Sequence, residues 1–195
     1  MAYYPIFLEL KNRRCLVIGG GEIALWKTKS LLECGARVQV VAPRINAGLK
    51  MLIRRKKISW ISETFRPEHL NGMELVIAAT DHKKTNALAA REAKKRNVWI
   101  NVADQPALCG FILPSVVRRG KLTIAVSTGG ISPALSKWIR QDLQQRYGDD
   151  WEQLLKTMHP ARARVQKAVS SVGRRKKLLE NALSAYIAAI NEGTK

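Results

Sequence analysis

Acidic residues are scarce in this chain, as are cysteine, histidine and long apolar runs. Fifteen Asp and Glu stand against 34 Lys and Arg in 195 residues, a formal net charge of +19. Such an imbalance leaves the fold open but attracts anions over long range, whether nucleic acid, an anionic membrane, or a phosphate or polycarboxylate ligand. Cys15, Cys34 and Cys109 make no C-x-x-C pair. A sparse, odd set of cysteines argues against a disulfide framework and fits a reducing compartment. His69, His82 and His159 occur singly, without the spacing of metal ligands, so no metal site is expected. No segment reaches the roughly 18 to 20 apolar residues that cross a bilayer, and the opening AYYPIFLELKNRR lacks the pattern of a secretory leader. The expectation is a cytoplasmic protein without a membrane partner.

With 46% hydrophobic residues, the chain can bury a core. Leu16-Val17-Ile18 is an apolar run that ends in Gly19-Gly20-Gly21, read as a buried strand entering a tight turn. Helical spacing follows from Glu22 to Cys34 and stops at Gly35. Val38–Val41 is a second strand, about Asn46 to Arg55 a short basic helix, and Ile58–Ile61 a third strand. Leu75–Ala79 and Val98–Val102 are two more strands, separated by a helix over Thr85–Arg96. Strands alternating with helices imply parallel βαβ units, and near-continuous apolar strands imply a sheet covered on both faces. The fold class is therefore α/β, with a Rossmann-type doubly wound parallel sheet.

Beyond residue 110 the pattern changes. Phe111–Val117 and Leu122–Val126 read as a hairpin around Arg118-Arg119-Gly120. Ser132-Pro133 supplies an N-cap and a Pro at N1 for a helix to about Arg146. A helical tail follows. Trp151, Leu154, Leu155 and Met158 share a face that Pro160 is expected to interrupt, and after Gly173 a stripe runs from Leu178 to Ile190. Two such stripes need a further surface to cover them, and a homodimer interface is expected.

Gly19-x-Gly21-x-x-Ala24 matches G-x-G-x-x-G/A between a strand and a helix. The first glycine makes the turn, the second lets the backbone approach a pyrophosphate, and the small third residue allows close packing, with phosphates at a helix N-terminus. The acidic residue expected at the end of the second strand is missing, and Ala42-Pro43-Arg44 stands there instead. Arg44 either stacks on adenine or accepts the extra phosphate of NADP. This organisation divides the chain into an NAD-binding domain (1–110), a hairpin-and-helix region for dimerisation and substrate (111–147) and a C-terminal helical domain (148–195).

In open α/β sheets ligands bind beyond the carboxyl ends of the strands. Thr80, Asn101 and Asp104 fall there, and the run Ser127-Thr128-Gly129-Gly130 before a helix offers backbone amides to a carboxylate. Asp104 is a candidate general base, the alternative being an Asx-turn ahead of Pro106. Cys109 has no base beside it and reads as an inert thiol. Trp26 and Trp99 read as core. The basic runs Arg54–Lys57, Lys94–Arg96 and Arg174–Lys177 accompany no nucleic-acid motif and read as solvated faces.

Taken together, YPIFLELKNRRCLVIGGGEIA, ELVIAATDHKKTN and INVADQPALCGFILPSVVRRGKLTIAVSTGGISPALSKWIR resemble the precorrin-2 dehydrogenase family, found also as the N-terminal module of siroheme synthase. The resemblance runs from Tyr4 to about Leu179, so the methyltransferase module of trifunctional siroheme synthases is not expected in this chain. It implies NAD-dependent oxidation of precorrin-2, a tetrapyrrole, to sirohydrochlorin by a homodimer, for siroheme or sometimes cobalamin. Some family members also insert ferrous iron. A dinucleotide-sensing, nucleic-acid-binding regulator is a third reading, suggested by charge alone. By resemblance, Glu22, Ile23, Pro43 and Arg44 join Gly19, Gly21, Ala24 and Thr80 around the dinucleotide. Asp104 takes the position of the catalytic aspartate, and Asn101, Thr128 and Gly129 are assigned to substrate. Thr128 stands where relatives often have serine.

Overall fold

The computed structural model describes residues 3–193, and residues 1–2 and 194–195, the outermost of the expected domains, lie outside it. Two compact units divide at Leu113 and Pro114. In the first, β1 (Arg14–Ile18) leads through Gly19–Gly21 into α1 (Glu22–Glu33), β2 (Arg37–Val41), α2 (Ala47–Arg54) and β3 (Ile58–Ile61). After a short 3-10 turn come β4 (Leu75–Ala78), α3 (Lys83–Lys95) and β5 (Trp99–Val102). The five strands lie in the order β3-β2-β1-β4-β5, all parallel. This is the order of a dinucleotide-binding half, and it reverses between β1 and β4.

The pleat explains how the sheet is covered. Cys15 and Val17 point to the face that holds Leu25, Leu31 and Leu49 of α1 and α2. Leu16 and Ile18 point to the other, against Ala89 and Ala93 of α3. β1 and β4 are buried on both faces, which is why both read as unbroken apolar runs. Burial of such a side chain contributes about 1.5–3 kcal/mol, so these two strands anchor the carboxyl edge beside them. Burial also pushes the Cys15 thiol up to about 11, which keeps it protonated and unreactive.

The C-terminal end of α3 carries a charge cluster. The Glu92 carboxylate accepts from Arg96 at 2.7 Å and Lys95 at 2.9 Å, so part of that basic run is neutralised locally. These bonds hold its carboxyl at about 2, against an ordinary 4.5. A depressed folded-state value stabilises the fold above the unfolded value and loses that contribution as pH falls through the folded one. Glu92→Gln is therefore expected to melt earlier than the parent near neutral pH. The gap should close as pH falls from 4.5 toward about 2, measured by thermal melts across that range.

The second unit comprises the antiparallel hairpin β6 (Ser115–Arg119) and β7 (Leu122–Val126), then α4 (Pro133–Arg146), α5 (Asp150–Ala168) and α6 (Val172–Gly193). Ser132 caps α4, its hydroxyl accepting from Leu135 N at 3.2 Å. Three readings of the sequence need correction. Phe111–Pro114 is not strand: the Phe111 carbonyl accepts from Asn101 Nδ2 at 3.0 Å, and the Phe111 ring meets Trp99 edge-on. Pro160 does not interrupt α5, which runs through it, because the proline is exposed and water can satisfy the carbonyl it leaves unpaired. Trp26 and Trp99 are not core, being 68% and 51% exposed. The Trp26 ring instead faces the Lys27 ammonium at 4.9 Å, and Trp99 opens a strand at the sheet edge.

Candidate functional site

The crevice where the strand order reverses is built by glycines. Gly19 has φ +129, and a Cβ there would lie 2.2 Å from the Ala79 carbonyl oxygen, so the turn after β1 sits directly against the end of β4. At Gly20 a Cβ would meet the Arg44 carbonyl oxygen at 1.8 Å, which packs the same turn against the β2–α2 connection. Gly21 is different. A Cβ there would meet nothing within 4 Å, and Gly21 is the N-cap of α1 with no side chain to satisfy the helix amides. The first-turn N–H groups of α1 therefore have no capping side chain, and the positive end of the helix dipole lies behind them. The one acidic residue of that turn, Glu22, accepts from Asn46 Nδ2 at 2.7 Å. A cradle of uncapped amides at a helix N-terminus, beside a glycine where a Cβ would meet nothing, fits the pyrophosphate of a dinucleotide.

The other first-unit residues singled out from the sequence surround this cradle. Ala24 is buried against the sheet, while Ile23 is 46% exposed at the start of α1. Pro43 and Arg44 are exposed beyond β2, where Ser62 Oγ donates to the Pro43 carbonyl at 3.5 Å. Thr80 follows β4, and its hydroxyl accepts from His82 N at 3.2 Å. Asn101, in β5, is buried and donates to the Phe111 carbonyl. Its amide thus braces the 105–111 segment from within.

Asp104 stands two residues past β5, exposed, in the left-handed region at φ +59. Among the described residues its carboxylate accepts no hydrogen bond, so the Asx-turn alternative is not what the structure adopts. Cys109 is tied down nearby, its sulfur accepting from Val102 N at 3.1 Å. Thr128 and Gly129 belong to the second unit. The Thr128 hydroxyl donates to the Ser132 carbonyl at 3.0 Å and lies 3.0 Å from Ser136 Oγ, while Gly129 has φ +65 and open space around it.

Two residues of the site escaped the sequence reading. Lys27 projects from α1 close enough to Asp104 to feel its charge: burial pushes the ammonium's pKa down, and Asp104 and then Cys109 pull it back up. Asn86 is buried, donates to the Thr80 carbonyl at 2.9 Å and so fixes the end of β4, leaving its own Oδ1 without a partner. Lys27 is far from Asp104 in sequence, Asn86 is six residues from Thr80, and no motif marks either of them.

Comparison with known proteins agrees with this geometry. An NAD(P)-binding family model matches residues 6–115, and the model described as sirohaem biosynthesis protein central matches residues 119–146. A siroheme synthase of Photobacterium profundum is 39% identical over 180 residues, 92% of this chain and 38% of that protein. Another, of Nitrosomonas eutropha, is 46% identical over 145 residues, 74% of this chain and 30% of that protein. The chain thus spans well under half the length of these relatives. A solved structure named SirC, precorrin-2 dehydrogenase, superposes with a TM-score of 0.80 at 26% identity, over 97% of this chain and all of that one. The chain belongs to the NAD(P)-binding family of siroheme-biosynthesis proteins that includes precorrin-2 dehydrogenase and the matching part of the siroheme synthases.

Proposed function

We propose that the chain oxidises precorrin-2 to sirohydrochlorin with NAD. The observation that carries this reading is the end-to-end likeness to a precorrin-2 dehydrogenase, which includes the second unit as well as the dinucleotide half. The amides from Gly21 to Ala24 hold the pyrophosphate, with Gly19 setting the turn, Glu22 and Ile23 flanking it and Thr80 across the crevice. Pro43 and Arg44 border the adenosine. When bound, the dinucleotide takes two electrons and one hydrogen from the substrate. Asp104 takes the accompanying proton or holds the substrate for its loss, while Asn101, Thr128 and Gly129 contribute to substrate binding.

Charge favours such a substrate. One ion pair at about 4 Å is worth about 4 kcal/mol at an effective dielectric constant near 20, and about 1 in water. Partly desolvated Arg and Lys contacts can therefore govern the affinity of a polycarboxylate, and the rest of the +19 speeds its arrival. Anaerobic mixing of the chain with precorrin-2 and NAD, followed by the absorbance of reduced nicotinamide, tests the reading. A matching run with NADP tests the choice of dinucleotide. No reduction with either sinks it.

The working form is a homodimer. Ile131, Leu135 and Trp138 are 90%, 47% and 63% exposed at the start of α4, with the last two an i, i+3 pair on one face. A two-stranded hairpin also leaves both of its edges unpaired. Trp138→Glu is expected to convert dimer to monomer in sedimentation velocity, and an unchanged mass would remove α4 from the interface. Among the described residues no helix is long and apolar enough to cross a membrane.

A further inference from the structure

The second unit contains a cavity of about 620 Å³ that none of the preceding roles uses. Its apolar wall is Leu155 and Met158 of α5 with Val172 and Leu179 of α6. Its cations are Lys121 from the β6–β7 turn, Arg162 of α5, and Arg175 and Lys176 of α6, and no acidic side chain among the described residues lines it. Lys176 lies 3.8 Å from Glu180, and Arg175 Nη2 donates to the Ser170 carbonyl at 3.1 Å. Arg175 Nε, however, is buried without an acceptor, and among the described residues Lys121 and Arg162 form no ion pair. Glu152, in the adjoining hollow, is already paired with Lys156 at 2.7 Å.

The volume is that of a small-molecule site. Cations gathered around an apolar wall repel one another until an anion joins them, and one of their donors, Arg175 Nε, is buried without an acceptor. A second copy of this chain would bring its own excess of +19 and answers the charge poorly. A single-headed amphiphile answers it poorly too, because the cations come from three separate elements and its one charge sits at one end. We propose that this cavity binds a ring-bodied polycarboxylate, whose apolar body lies on Leu155, Met158, Val172 and Leu179 and whose edge carboxylates meet Lys121, Arg162 and Arg175. The ligand class overlaps with the substrate proposed above. The inference does not rest on that reading, since the cavity is formed within one unit and needs no dinucleotide.

The test titrates the full chain, without dinucleotide, with uroporphyrin, a stable ring polycarboxylate, and follows porphyrin fluorescence anisotropy. Arg162→Glu with Arg175→Glu should weaken one binding equivalent per chain by about tenfold or more, through the lost ion contacts. A control pair with the same charge change, Arg54→Glu with Lys57→Glu, should stay within about twofold, as expected for exposed charges. Should the charge reversals unfold α5 and α6, Lys121→Gln with Arg162→Gln keeps the question open to measurement. Both residues are exposed, so that variant should melt as the parent does yet bind uroporphyrin about threefold or more weakly. Equal weakening by the cavity and control pairs would assign binding to the general positive field and overturn the proposal. So would unchanged binding in every variant, or a change of sedimentation mass without loss of uroporphyrin, which would make the cavity an interface between copies. NAD reduction assayed on the same variants reports separately on the dehydrogenase reading.

Discussion

Asp104→Asn is expected to lower turnover with precorrin-2 and NAD by about 10²- to 10⁴-fold, the usual worth of a positioned general base. Dinucleotide affinity, read by tryptophan quenching or calorimetry, should stay within about twofold of the parent, because the pyrophosphate cradle draws on other residues. Asparagine is the informative replacement. Residue 104 sits at φ +59, a conformation that Asn and Asp tolerate better than other side chains. Asp104→Ala removes the carboxylate but also strains that turn, so a loss seen with alanine and not with asparagine would point to backbone geometry. Full activity in both variants would take Asp104 out of the mechanism.

The glycine turn separates binding from folding at two positions only two residues apart. Gly21→Ala adds a methyl group where nothing lies within 4 Å, so the free protein should melt within about 1 °C of the parent. The same methyl group occupies the space a diphosphate needs, and affinity for dinucleotide should fall by about 10- to 100-fold, the cost of overfilling a packed site. Gly19→Ala should do the reverse damage. Its Cβ would strike the Ala79 carbonyl oxygen at 2.2 Å from a backbone at φ +129, for a loss of about 3 kcal/mol or more in stability. Chemical denaturation of the two variants beside dinucleotide titration would distinguish the roles. A Gly21→Ala protein that binds as the parent does would mean that phosphates do not approach this turn.

The dinucleotide half was readable because its signals are local. β1 and β4 are buried on both faces and announce themselves as apolar runs, and a glycine turn between a strand and a helix carries its own geometry. Position within the sheet is a different kind of information. Trp26 and Trp99 read as core because an isolated indole in an apolar pattern gives no direction. Only the packing of α1, and the place of β5 at an edge, show that both face outward. Pro160 carried the opposite error: propensity predicts a break, while an exposed turn with solvent on its open carbonyl tolerates the ring. Lys27 and Asn86 were invisible for a third reason. The relation of Lys27 to Asp104 exists only once α1 and the end of β5 are folded beside one another, and that of Asn86 to the Thr80 carbonyl, six residues away, exists only once the chain turns from β4 into α3.

Gly20 and Arg44 bear on any attempt to change which dinucleotide this scaffold accepts. The usual route is to exchange the connection after the second strand, where the adenosine ribose is discriminated. Here that connection leans its Arg44 carbonyl on Gly20, and Asn46 both donates its backbone N–H to the Gly20 carbonyl at 2.9 Å and holds Glu22 by its side chain. A grafted connection of different length would drag the phosphate cradle out of register with it. Selectivity in this scaffold is thus inherited as a block of residues 19 to 46, and libraries that vary residues 42 to 44 alone should return many proteins that fold and few that bind either dinucleotide.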